Sequence, residues 1–149
     1  MALVEQINND IKAAMKAREK EKLAALRAVK SALLLVASEK GNDGEVSDDA
    51  GIKLLQKLVK QRKEAAEAFQ SQSRQDMADE ELAQASVIEA YLPTQMSEEE
   101  VISIIDSVIA ATGASNMKDM GKVMGMASSK LAGKADNKMI AQIIKSRLS

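Results

Sequence analysis

The chain has no cysteine, no histidine, no tryptophan and a single proline, and Phe69 and Tyr91 are its only aromatic side chains in 149 residues. Each absence narrows what it can do. Without Cys or His there is no thiolate nucleophile, no imidazole base and no zinc site built from those ligands. Without Cys there is also no disulfide framework, which fits a reducing compartment. The lack of aromatics argues against a sheet, because strands favour aromatic and β-branched side chains. The longest apolar run, Ala32 to Ala37, is far short of the roughly 20 residues that cross a bilayer. Glu5, Asn8, Asn9 and Asp10 interrupt the stretch where a signal peptide would carry its apolar core. A soluble, cytoplasmic protein without membrane contact is expected.

What remains favours helices. Hydrophobic residues make up 46% of the chain, mostly Ala, Leu, Ile, Val and Met, of which Ala, Leu and Met are strong helix formers. Leu3, Ile7, Ile11 and Met15 recur at near i+4 spacing and predict a helix over residues 3–17. A second stripe follows in Leu23, Leu26, Val29, Leu33 and Val36, widened by Leu34 and Leu35 and stopped by Gly41-Asn42-Asp43-Gly44. Ser47, backed by Asp48 and Asp49, is the expected N-cap of a long helix over residues 48–70. Its inward side carries Ile52, Leu55, Leu58, Val59, Ala66 and Phe69, and its other side is cationic through Lys57, Lys60, Arg62 and Lys63. A fourth helix is predicted over 76–91, buried through Met77, Leu82, Ala85 and Ile88, with Leu92 beyond it. Pro93 stops it, since the residue before proline is pushed out of helical geometry.

Beyond Pro93 the signals are cleaner. Ser97-Glu98-Glu99-Glu100 reads as a capping box ahead of Val101, Ile104, Ile105, Val108 and Ile109, with Gly113 as the stop. A helix over 116–131 ends towards Gly133, and Asp136 is the expected N-cap of a last helix carrying Met139, Ile140, Ile143, Ile144 and Leu148. The fold class is therefore all-α. An N-terminal domain of about four helices spans 1–93, and a small three-helix domain spans 94–149. So short a bundle is near the size limit for independent stability, so packing on the first domain or on a partner is expected.

Two segments of the C-terminal part stand apart. Asp119-Met120-Gly121-Lys122-Val123-Met124-Gly125 and Leu131-Ala132-Gly133-Lys134-Ala135-Asp136 each place a lysine directly after a glycine. Gly121 and Gly125 share one helix side, where another helix or a phosphate backbone can come close; equally, they and Gly133 can be ordinary packing and stop residues. Neither segment is a P-loop, because the glycine–lysine spacing and the preceding strand are missing. Met117, Met120, Met124 and Met126 either fill gaps in an aromatic-poor core or form an adaptable surface. Lys138 and Lys145 lie on one side of the last helix, opposite Ile140 and Ile144. With no aromatic platform there, nucleic acid would have to be held through phosphates and shape.

Charge is unevenly spread. Residues 75–112 hold nine acidic and no basic residues, whereas 113–149 hold seven basic residues against Asp119 and Asp136. The basic end suits an anionic partner, or the blocks simply face each other and solvent. The paired carboxylates Glu98–Glu100 and Asp79–Glu81 fit first helical turns better than catalysis. No catalytic residue, metal ligand set or cofactor site is expected.

Several short motifs, taken together, have a family likeness. They are Leu26-Arg27-Ala28-Val29-Lys30, Lys60-Gln61-Arg62-Lys63-Glu64 with Phe69, Arg74-Gln75-Asp76, Tyr91-Leu92-Pro93 with Ser97-Glu98-Glu99-Glu100, and the two glycine–lysine segments. On these the chain resembles, over nearly its full length, the stand-alone YqeY-type proteins of the GatB/YqeY family. The resemblance implies a two-part helical fold and kinship with the C-terminal tail of the B subunit of the glutamine-dependent amidotransferase, a carbon–nitrogen ligase acting on Glu-tRNA(Gln) or Asp-tRNA(Asn). In that enzyme the tail helps hold tRNA and the chemistry resides elsewhere.

The function expected is a tRNA- or structured-RNA-associated accessory protein, with Gly121, Lys122, Gly125, Gly133, Lys134, Lys138 and Lys145 at the RNA. A protein-interaction adaptor using Lys57, Lys60, Arg62 and Lys63 or the methionine cluster is the alternative. An accessory component of a carbon–nitrogen ligase, its chemistry supplied by a partner, is the third. Limited proteolysis should cut first near residues 93–97, and a chain that resists cleavage there while yielding elsewhere would contradict the two-domain reading.

Overall fold

A computed structural model describes residues 2–39, 41 and 43–149, and among these every regular element is helical. Seven α-helices follow in order: α1 (Ala2–Ala17), α2 (Lys20–Ala37), α3 (Asp48–Ser71), α4 (Gln75–Glu89), α5 (Glu98–Thr112), α6 (Met120–Lys130) and α7 (Asn137–Leu148), with a 3-10 turn at Met117–Asp119. The chain divides into two compact units, Met1–Leu92 and Pro93–Ser149. None of the described helices is long and apolar enough to cross a membrane.

In the first unit α3 packs along α4, α1 packs on α2, and α2 bridges to α4 and α3. The core is aliphatic: Ile7 of α1, Leu26, Val29 and Leu33 of α2, Leu55 and Val59 of α3, and Ala85 and Ile88 of α4 are all buried. Small residues share the interior, with Ala14, Ala25, Ala66 and Ala78 almost wholly buried. Phe69 is only half-buried. The stripe of α2 is narrower than its sequence suggests. Leu33 is 2% exposed, but Leu34 and Leu35 are 57% and 68% exposed, because each further residue turns about 100° away from the buried side. Met15 and Leu82, also expected inside, lie on the surface.

The helix ends follow local chemistry. Ser47 caps α3 by accepting the Ala50 amide at 3.2 Å, as the Ser47-Asp48-Asp49 sequence predicts. α1 and α3 stop without glycine. Arg18 (φ 58°) and Ser73 (φ 59°) take the left-handed conformation, and Glu19 N–H returns to the Ala14 carbonyl and Arg74 N–H to the Phe69 carbonyl, the bonding of a Schellman stop. α2 ends at Ala37, ahead of the glycine pair; of the predicted stop, Gly41 (φ 97°) and Gly44 (φ 82°) are left-handed and Asn42 lies outside the described residues.

The second unit is a bundle of α5, α6 and α7, each packed on the other two. Val101, Ile105 and Val108 of α5 meet Val123 and Ala127 of α6 and Ile140, Ile144 and Leu148 of α7, with Leu131 and Ala135 closing the turn between the last two. Ser97 accepts the Glu100 amide at 3.2 Å, but its hydroxyl donates to the Glu100 carboxylate at 3.1 Å, so the return half of the expected box goes to the side chain rather than the Ser97 amide. Gly113 (φ 67°) ends α5 and Asp136 caps α7 through the Lys138 amide. The predicted helix over 116–131 begins with the 3-10 turn, where Asn116 accepts the Lys118 amide.

One polar contact ties the far end of the first unit to its beginning. The Tyr91 hydroxyl donates to the Asp10 carboxylate, 81 residues away. Burial pushes the Tyr91 phenol well above its ordinary value, and the Asp10 hydrogen bond and charge add to the shift. The folded state therefore holds this proton more tightly than the unfolded chain does. Its stabilisation is complete below the unfolded value of about 10 and is lost as pH rises beyond it. Tyr91→Phe should lower stability by about 1–3 kcal/mol at neutral pH and should flatten the alkaline loss seen in pH-dependent denaturation. Parallel curves for the two proteins above pH ~10 would show that this phenol does not carry the effect.

Candidate nucleic-acid interface

The site residues named by sequence lie on three consecutive pieces of the second unit. α6 buries Val123 and Ala127 and rests Met120 and Met124 on the core. That fixes its opposite side, and Gly121, Lys122 and Gly125 are all exposed there. Helical spacing puts the exposed Ser129 on the same side, at i+8 from Gly121 and i+4 from Gly125. No sequence motif singles out Ser129, although continuing the four-residue step from the two glycines reaches it.

The sequence leaves open whether Gly121 and Gly125 admit a neighbouring helix. In the structure they do not. A methyl group placed on either glycine would meet nothing within 4 Å. Neither has a positive φ, so neither serves a turn. A glycine in a helix interior, where Gly125 lies, costs roughly 0.5–1 kcal/mol relative to alanine, and Gly121 in the first turn costs less. Two of them on one open side thus leave a strip of bare helix backbone with no intramolecular packing to account for it.

The turn after α6 is held more firmly. Gly133 takes φ 73°, the left-handed region that suits glycine. The Lys134 amide donates to the Leu131 carbonyl at 2.9 Å, while the Lys134 carbonyl accepts from the Met96 amide at 2.9 Å. Gln95 Nε2 donates to the Gly133 carbonyl at 2.6 Å and to the Pro93 carbonyl at 2.9 Å. The segment entering the second unit thereby braces the Gly133–Lys134 turn, and Lys134 is half-buried. Lys138 and Lys145 are exposed on the side of α7 away from Ile140 and Ile144. The α6 and α7 residues occupy exposed sides of two helices that pack on each other, joined by the braced turn. Arg147 is directed elsewhere, pairing with Asp106 of α5 at 3.1 Å; so exposed a pair contributes under about 1 kcal/mol.

The other candidates divide. Of the methionine cluster, Met120 and Met124 pack on the core, whereas Met117 and Met126 are 42% and 37% exposed. The cationic side of α3 is partly consumed within its own unit. Arg62 Nε donates to Gln84 Oε1 at 3.1 Å, its Nη1 donates to the Leu58 carbonyl at 3.3 Å, and Lys63 pairs with Glu89 of α4. Lys57 and Lys60 are exposed.

Comparison with known proteins decides the family. The family model described as Yqey-like protein matches residues 4–148. This chain belongs to that family. Its relatives include the altered inheritance of mitochondria protein 41, mitochondrial, of Pyrenophora tritici-repentis, 27% identical over 133 residues, 87% of this chain and 71% of the relative. They also include the E subunit of glutamyl-tRNA(Gln) amidotransferase from Thermococcus gammatolerans, 34% identical over 126 residues, 79% of this chain and 20% of the relative. The corresponding protein of Thermococcus sibiricus is 32% identical over the same length. This Yqey-like chain thus spans about a fifth of the archaeal amidotransferase proteins it matches. The kinship with an amidotransferase component implied by the sequence motifs is real.

The open glycine strip of this Yqey-like chain yields a direct prediction. Gly121→Ala and Gly125→Ala together should raise the stability of the second unit by about 0.5–1 kcal/mol, mainly from the gain in helix propensity at Gly125, which lies inside α6. Denaturant unfolding of the parent and the double variant measures the difference. A loss of stability would mean that the glycines are needed for the fold.

Proposed function

We propose that this chain is a tRNA- or structured-RNA-associated accessory protein of the amidotransferase-related kind, acting in the cytoplasm. Its second unit, Pro93–Ser149, meets folded RNA by shape and phosphates, while the likeness to the amidotransferase E subunit covers 79% of the chain and so reaches into the first unit as well. The observation that carries the reading is the exposed glycine strip on α6, which is open to close approach and has no internal use. Bare helix backbone lets a ribose–phosphate chain come nearer than side chains would permit. Lys122 on that strip, Lys134 on the braced turn, and Lys138 and Lys145 on the outward side of α7 supply the unit's positive charge for phosphates. The relation to proteins whose name specifies a glutamyl-tRNA substrate supports RNA as the partner class. Lysines contact phosphates without reading bases, so binding would be governed by the fold of the RNA.

Any ligase chemistry associated with this chain would come from a partner protein. An adaptor role through the α3 cations has less support, since Arg62 and Lys63 are engaged with their own unit.

Neutralising phosphates releases condensed counterions, so affinity for tRNA should fall steeply with salt. Replacing Lys122, Lys134, Lys138 and Lys145 together by Gln should weaken binding to all tRNA species alike and reduce the log–log salt slope by about one for each phosphate no longer neutralised. Filter binding or fluorescence titration across a salt series, with helicity checked by circular dichroism, gives both numbers. An unchanged slope in a folded variant would show these four lysines to be a solvated face only.

A further inference from the structure

Of the four lysines assigned to RNA, Lys122 lies on α6 and Lys138 and Lys145 lie on α7, so a helix sets where each is rooted. Lys134 has no helix around it. It sits in the turn between α6 and α7, directly after the left-handed Gly133 and directly before the buried Ala135. Both peptide planes that flank its Cα are nevertheless pinned. The plane before it is held by the Lys134 amide on the Leu131 carbonyl at 2.9 Å and by Gln95 Nε2 on the Gly133 carbonyl at 2.6 Å. The plane after it is held by the Met96 amide, which donates to the Lys134 carbonyl at 2.9 Å. With both planes fixed, the direction of the Lys134 Cα–Cβ bond is fixed as well.

The Gln95 and Met96 bonds come from a stretch without regular structure, residues 93–97 between α4 and α5. Met96 rests on the second core, whereas the Gln95 side chain is exposed. Its amide nitrogen also donates to the Pro93 carbonyl at 2.9 Å, so it spans from its own segment to a turn 38 residues further on. Both acceptors are carbonyls, and only the nitrogen end of the amide can serve them. Packing does not require this bridge, because Leu131 and Ala135 already anchor the turn to the core. An exposed glutamine gives up rotamer freedom to make it. What the bridge adds is a fixed root for Lys134.

We propose, on the RNA reading of the second unit, that Gln95 is a positioning residue of the RNA-facing surface, bracing the Gly133–Lys134 turn so that Lys134 is presented to a phosphate. Affinity then depends on an uncharged residue that lies outside α6 and α7. A lysine whose root is already set loses less freedom on binding, and a loosened one must recover that cost from the same contact.

Gln95→Met keeps the length of the side chain and removes both donors. In the free full chain, backbone amide relaxation should show lower order parameters at Gly133 and Lys134 in this variant, with α6 and α7 unchanged. Titration with a folded tRNA transcript should show binding weakened by about two- to ten-fold, the range to which one ordinary hydrogen bond converts. A double-mutant cycle decides the role. Lys134→Gln should weaken binding in the parent but change Gln95→Met by less than about two-fold, whereas Lys145→Gln should cost the same factor in both. A general loosening of the unit would blunt both lysines alike, so Lys145 separates positioning from stability. Gln95→Asn, an amide too short to span both carbonyls, should behave as Gln95→Met does. Unchanged order parameters, or additive effects of Gln95→Met and Lys134→Gln, overturn the positioning role and leave the RNA reading standing. A parent chain that binds no tRNA overturns both.

Discussion

With almost no aromatic side chains, a helical protein cannot fill its interior with large rings, and it must close the gaps by bringing backbones together. Alanine makes that possible. Ala14, Ala25, Ala66, Ala78 and Ala85 in the first unit, and Ala127 and Ala135 in the second, are buried, while valine, isoleucine and leucine fill the remaining volume. Each core engages a narrow stripe per helix. Broad helix sides are left outside in consequence: Leu34 and Leu35 on α2, the glycine strip on α6 and the lysines of α7.

Charge is arranged within this frame rather than holding it together. No polar or charged residue as a whole is buried among the described residues, although the Asn8 Oδ1 atom is enclosed without a hydrogen-bond partner, and the described salt bridges are between partly exposed groups. Such pairs set which way cations face more than how stable the fold is. Arg62 and Lys63 turn to α4 and Arg147 turns to α5. Lys122, Lys138 and Lys145 remain exposed on the second unit. An acidic middle and a basic end in the sequence thus become, in part, local pairs, and only the residue positions reveal which cations are left over.

Much of the fold was legible in the sequence because helical periodicity and caps are local signals. Ser47, Ser97, Gly113 and Asp136 act at the ends where their chemistry predicts them. What was not legible depended on competition between neighbours. Leu33, Leu34 and Leu35 are equally apolar, and only the position of the partner helices decides that Leu33 goes inside. The stops at Arg18 and Ser73 carry no glycine signal, since the chain accepts a left-handed L-residue where reversal of direction demands it. Most instructive are Gly121 and Gly125. Their spacing reads equally as a helix contact or an open approach, and the empty space around them separates the two readings.

The central claim is that this open strip and the lysines proposed with it form one RNA-facing surface. Amide chemical-shift mapping of the isotope-labelled full chain during titration with a folded tRNA transcript tests it most directly. The largest changes are expected on Gly121, Lys122, Gly125 and Ser129, on the Gly133–Lys134 turn, and on Lys138 and Lys145. Changes confined to the first unit, or none at RNA concentrations that saturate other tRNA-binding proteins, would contradict it.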